Sequence, residues 1–175
     1  MVQIYKNEHI YPHDFKTVSL AYLNRYPNPY AKHVLSIDTL DTHVDNNGNL
    51  VITKLMVKTG PLPMFIKPFL GSNLNSWILE KTIINPQTKR LMTYSANIDH
   101  RKFIKVEEFL YYSEIDEYST QLKSKVKFSS NLIGFKQRIE DWSKHRFASN
   151  IEKSRHGLTF VMNELKKQKV YWYEK

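Results

Sequence analysis

The residues of this chain that could carry chemistry are not grouped as a catalyst would need them. Glu107–Glu108 and Glu140–Asp141 are adjacent pairs. Neighbours in a strand point to opposite faces and neighbours in a helix sit about 100° apart, so neither pair makes a shared acid/base site. The seven histidines are scattered without metal-ligand spacing. No phosphate-binding loop, HExxH or GxSxG pattern occurs. The sequence has no cysteine, which removes thiolate catalysis, disulfides and thiolate zinc sites. A non-enzyme without metal or cofactor is expected.

The cations are better organised. Arg25, Lys32 and His33 crowd around two prolines in RYPNPYAKH. Farther on, Phe135, Trp142, Arg146, Lys153 and Phe160 fall on one flank of a long helical pattern, while Lys123, Lys125 and Lys127 alternate on one strand face. With 26 Lys+Arg against 17 Asp+Glu the formal charge is +9, so the protein attracts nucleic acid, phosphate groups or an acidic membrane surface. The mixed flank has two readings: rings finishing the edge of a core beside solvated cations, or rings and cations lining the mouth of a hollow.

The elements that must position these cations follow from periodicity. VQIYKNEHI reads as a first strand, and Asp14 caps a short helix over FKTVSLAYLNR, which Pro27 and Pro29 terminate. Alternation from His33 to Val44, a DNNGN turn and LVITKLMVKT make a hairpin. SWILEKTII, RLMTYSANI, KFIKVEEFLYY and YSTQLKSKVKF follow through short connections, which makes the strands antiparallel neighbours. From Ser130 the period becomes helical, with Ile139, Phe147, Ile151, Leu158, Val161 and Leu165 on one stripe to about Lys169. The fold class is therefore α+β: a curved antiparallel sheet of about seven strands wrapped on a long C-terminal helix. The expected domain spans 1–169, with 170–175 as a tail.

One segment breaks the pattern. Leu62, Met64, Phe65, Ile66, Phe69 and Leu70 lie in PLPMFIKPFLGSN, a loop with three prolines that deny it a backbone ladder. Loops are normally polar and exposed, so this one is expected to be an apolar flap over a hollow, able to touch a membrane. No apolar run approaches the ~20 residues needed to cross a bilayer, and the N-terminal residues lack a signal-peptide pattern, so a soluble chain is expected.

RYPNPY followed by HVLSIDT, the flap ending in KPF, the WILE strand, and KFSS leading to IEDWSKHRFASNIEKSRHG together resemble the PRELI domain family, from about Met1 to Lys169. The resemblance implies a phospholipid shuttle of the mitochondrial intermembrane space, peripheral to membranes, carrying phosphatidic acid from outer to inner membrane for cardiolipin synthesis. It implies an obligate partner, a small helical-hairpin protein with twin Cys-x9-Cys motifs, through which the chain is imported and retained. It also implies headgroup contacts from Arg25, His33, Lys58, Arg146 and Lys153, cavity-lining roles for Trp142 and Phe135, and a lipid-gating loop in the flap. Pro61 stands where the family often has a cation after the glycine of the KTG-like turn, which leaves phosphatidylserine open as the cargo.

Physics supports such a carrier independently. Lifting a two-chain lipid from a bilayer exposes roughly 30 methylenes at ~0.8 kcal/mol each, so transfer needs an enclosed apolar cavity and a door. A phosphomonoester carries between one and two negative charges near neutral pH, so several converging cations favour phosphatidic acid over diester lipids. The competing class is a basic nucleic-acid-binding module, whose aromatic residues should alternate with cations on one open sheet face.

Overall fold

The computed structural model describes residues 1–60, 68 and 75–173, with side chains through residue 168. The six apolar flap positions, Leu62, Met64, Phe65, Ile66, Phe69 and Leu70, lie outside the described residues.

The chain alternates hydrophobic and polar residues over seven stretches, and each forms a strand: β1 (Val2–Tyr11), β2 (Val34–Val44), β3 (Leu50–Thr59), β4 (Asn75–Asn85), β5 (Arg90–Asn97), β6 (Lys105–Asp116) and β7 (Ser119–Ser129). They make one antiparallel sheet in the order β1-β7-β6-β5-β4-β3-β2. Strands β2 through β7 lie side by side in chain order, with residues 60–74 as the long connection between β3 and β4, and β1 pairs with β7 along its whole length, Val2 opposite Ser129 and Tyr11 opposite Thr120.

Helix α1 (Phe15–Leu23) begins where Asp14 accepts from the backbone N–H of Thr17 at 2.8 Å and from its hydroxyl at 2.6 Å. That satisfies a donor the first turn cannot pair internally. Helix α2 (Lys136–Tyr173) is 38 residues long. It starts six residues after the period changes, because Gly134 holds a left-handed turn at φ 84° that an α-helix cannot include. It runs past Lys169 because Val170, Tyr171, Trp172 and Tyr173 contain no breaking residue. The start of β6 is also later than periodicity predicts: Phe103 and Ile104 donate to the carbonyl of His100 in a turn, so pairing begins at Lys105.

The inner sheet face packs against both helices. Tyr11, Tyr112, Leu91, Ile84 and Leu122 meet Phe15, Val18, Ala21 and Tyr22 from α1 and Leu158, Val161 and Met162 from α2. This core occupies one end of the molecule. Toward the other end α2 leans on β1 instead: Tyr5 stacks on Phe147 at 5.2 Å and hydrogen-bonds with Ser143 at 3.0 Å, while Gln3 donates to Glu140 at 2.7 Å. Between these two anchorages the middle of α2 spans the sheet without filling the space beneath it.

Candidate functional site

The space under α2 is a void of about 1370 Å³, counting the part open to solvent. Its sheet wall mixes apolar residues, Ile78, Val106, Leu110, Leu122, Val126 and Phe128, with polar ones such as Lys58, Ser76, Ser95, Asn97, Glu108 and Ser124, and Ile104 joins it from the turn before β6. The helix wall carries Trp142, Arg146, Phe147 and Ile151. Trp142 meets Phe128 edge-on at 5.8 Å, which keeps the indole against the cavity wall. Phe135 is not among the described residues that bound this void. It precedes α2, its carbonyl accepts from Ile139 at 3.0 Å, and its ring lies 6.0 Å from the Arg138 guanidinium.

A second, smaller void of about 650 Å³ lies between the α1 exit, the sheet and α2. Arg25, Tyr26, His33, Lys58 and Lys153 border it. Four of the five cations inferred from the resemblance thus surround one small chamber, and Arg146 borders the larger one. The joint that looked overfurnished in the sequence is what positions them. Asn28 ties the joint to itself, donating to the carbonyl of Arg25 at 2.5 Å and accepting from the N–H of Tyr30 at 2.9 Å. Gly157 lets this joint approach α2, since a Cβ there would lie 3.0 Å from the Asn28 side chain. Gly60 does the same for Arg146: a Cβ at Gly60 would stand 2.6 Å from the guanidinium.

The cations are not equivalent. Arg25 is mostly buried and already partnered: its Nη2 donates to both carboxylate oxygens of Glu80, at 2.7 and 2.5 Å, and its Nη1 donates to the Tyr22 carbonyl at 2.9 Å. Its guanidinium also lies 3.9 Å from the centre of the Tyr22 ring and 4.7 Å from that of Tyr26. Such a group shapes the chamber more than it offers a free charge. His33 is held neutral. Burial, and then the charges of Lys58, Arg146 and Lys153, lower its pKa from 6.5 to about 4. Burial and the three cations thus favour the uncharged, hydrogen-bonding form of the His33 ring. Burial also lowers the pKa of Arg146, so its charge sits at some cost until an anion meets it. Burial tends to raise the Tyr26 phenol, but Lys58 and Arg25 more than reverse this and bring it below its usual value.

Three neighbouring strands add polar groups that the sequence reading left unassigned. Glu80, Ser95 and Glu108 stand directly opposite one another across β4, β5 and β6, and Lys54 faces Glu80 from β3. Glu107, one residue earlier, faces outward and binds Lys105 at 2.7 Å and the Tyr94 hydroxyl at 2.9 Å. The inward acids could not be picked out by local spacing, because Glu80 and its Arg25 partner are 55 residues apart.

The outer face is solvated. Lys123 and Lys125 are exposed there, Lys127 is partly so, and Tyr94, Phe109 and Tyr111 interleave with Lys81, Lys123 and Lys125. Some aromatics thus alternate with cations on an open sheet face.

A family profile described as PRELI-like matches residues 16–168. The chain is 47% identical over 167 residues to Protein UPS1, mitochondrial, of Saccharomyces cerevisiae, covering 94% of this chain and 95% of that protein. It is 34% identical over 149 residues to PRELI domain-containing protein 1, mitochondrial, of Gallus gallus, covering 83% and 69%. Among solved structures, TTHA0849 from Thermus thermophilus superposes with a TM-score of 0.63 at 14% identity over 93% of this chain and 99% of that one, a likeness of fold alone. Sequence and architecture agree, and the chain belongs to the PRELI-like family.

Proposed function

We propose that this protein carries phosphatidic acid between the outer and inner mitochondrial membranes across the intermembrane space, supplying cardiolipin synthesis. The observation that carries the reading is the pair of adjoining voids under α2: a larger, partly apolar chamber beside a smaller chamber bordered by Arg25, Tyr26, His33, Lys58 and Lys153. Acyl chains bury in the first, and the phosphate meets Lys58, Lys153 and Arg146 near the second. A phosphate arriving beside His33 opposes the cations that help lower its pKa, so lipid binding raises that pKa.

The mitochondrial naming of both relatives supports the location. Among the described residues no helix is long and apolar enough to cross a membrane, which suits peripheral, transient contact with anionic bilayers. The protein works without a cofactor, by binding and release rather than by catalysis. Its partner is a small helical-hairpin protein with twin Cys-x9-Cys motifs, which forms an obligate heterodimer and stabilises the folded state by mass action. Arg25, His33, Lys58, Arg146, Lys153 and Trp142 are the lipid-contacting residues, and Leu62, Met64, Phe65, Ile66, Phe69 and Leu70 form the gate.

The test is a lipid census by native mass spectrometry of the purified heterodimer, followed by fluorescent-lipid transfer between vesicles. Retained phosphatidic acid and its transfer are expected. Retained phosphatidylserine would shift the cargo. Steeply salt-dependent oligonucleotide binding with no retained lipid would replace the carrier by a nucleic-acid-binding module working through the outer face, where Lys125 lies 5.9 Å from the Phe109 ring centre.

A further inference from the structure

The two voids share four bordering residues: Lys58 and Glu108 from the sheet, and Asn150 and Ser154 from α2. Asn150 and Ser154 are four apart and so share a helix face opposite the sheet pair. The boundary between the chambers therefore has a cation and an acid on one side and two neutral polar groups on the other. A lipid with chains in the apolar chamber and phosphate in the basic one would lay its glycerol and phosphate across this boundary.

An acid at that point is unexpected in an anion site. Its surroundings are Lys58 on β3, Glu80 on β4, Ser95 opposite it on β5, Tyr112 on its own strand, Tyr22 and Arg25 at the α1 end, and Lys153 on α2. Glu80 already neutralises Arg25. Among the cations around Glu108, Lys58 exerts the largest electrostatic pull on its carboxyl. Resting on the carrier reading above, we infer that Glu108 is a specificity-determining residue: its carboxyl, beside Lys58 on the boundary between the chambers, opposes an entering phosphate in proportion to that phosphate's charge. The acid thereby limits how tightly a phosphomonoester is held, and a shuttle has to let go of its cargo at the acceptor membrane.

The experiment compares wild type, Glu108→Gln and Glu108→Asp in the full-length heterodimer. Each is loaded from phosphatidylcholine vesicles containing dioleoyl phosphatidic acid or dioleoyl phosphatidylglycerol, or from phosphatidylcholine alone. Residence times are read from release of fluorescent lipid to acceptor vesicles. Removing one unit charge at close range is expected to lengthen the residence of phosphatidic acid ~10-fold and of phosphatidylglycerol ~3-fold, and to leave phosphatidylcholine unchanged. Glu108→Asp should stay near wild type. A merely structural carboxylate would produce no such ladder with headgroup charge. An equal change for all three lipids, or weaker binding of phosphatidic acid by Glu108→Gln, overturns the inference while leaving the carrier intact. If wild type loads none of the three, the carrier reading falls and the inference falls with it. Should Glu108→Gln fail to fold, Glu108→Leu puts an apolar group at the same boundary and is held to the same ladder.

Discussion

The two halves of α2 come from one uninterrupted helix and do opposite work. In the C-terminal half Leu158, Val161 and Met162 are buried against α1 and the sheet, and Met162 is inaccessible. In the N-terminal half Ile139 and Ser143 are the fully buried positions, while Trp142, Arg146, Phe147 and Ile151 face a void. One half closes a core and the other half roofs a chamber. The difference teaches that stability and ligand binding are separable along a single element, and that a partly buried apolar stripe need not mean a core.

The most damaging way to test that division is to remove Arg25, which sits at the border between the two regions. Arg25→Ala leaves Glu80 buried without its partner and is expected to cost ~3–5 kcal/mol, read as a large fall in chemical-denaturation midpoint. A variant of unchanged stability would return Arg25 to the role of a free headgroup cation. Next, Met162→Ala should cost ~2–5 kcal/mol through the cavity it leaves in the core half, with lipid pickup per folded molecule unaltered. Arg146→Ala on the roofing half should show the reverse: pickup of phosphatidic acid reduced ~10-fold or more by the loss of a charge-assisted bond, and a nearly constant thermal midpoint.

His33 sharpens the comparison through pH. Its folded pKa, about 4, lies below the ordinary 6.5, so the unfolded chain binds more protons between these values and stability declines as pH falls from 6.5 toward 4. His33→Gln should flatten this part of the denaturation-versus-pH curve, and an identical slope in the two proteins would contradict the neutral-histidine assignment. The smallest effect belongs to the outer face: Lys123→Glu should shift stability by less than ~0.5 kcal/mol and leave transfer unchanged at matched vesicle charge. A strong transfer defect there would move function from the chamber to the surface.

Elements were legible in the sequence where a local rule governs them. Alternation located all seven strands, Asp14 marked the start of α1, and the change of period disclosed α2 as one helix. Boundaries drifted where a turn intervened, as at His100 and Gly134. Arg25, His33, Arg146 and Lys153 stood out locally as cations among rings, but Lys58 and the grouping of all five were reachable only through resemblance, since they come from distant parts of the chain. Glu107 and Glu108 show the limit well. Their opposite orientation was readable from the pleat, but which face covered a chamber was not, because that depends on where a helix thirty residues later comes to lie.

The pairing of β1 with β7 also dictates the order of events during folding. The first strand cannot form its ladder until Ser119–Ser129 are available, more than a hundred residues later, whereas every other strand pairs with its neighbour in sequence, separated from it by at most 15 residues, 60–74. The meander from β2 to β7 can zip up locally, and the closure entropy of the longest loop falls on the final seam. A chain emerging N-terminus first, from a ribosome or a translocation pore, therefore holds its leading strand unpaired the longest. Val2, Ile4 and Ile10 remain exposed even after that seam closes, so in the waiting interval the leading strand is an open sticky edge, and a chaperoning partner has most to protect there.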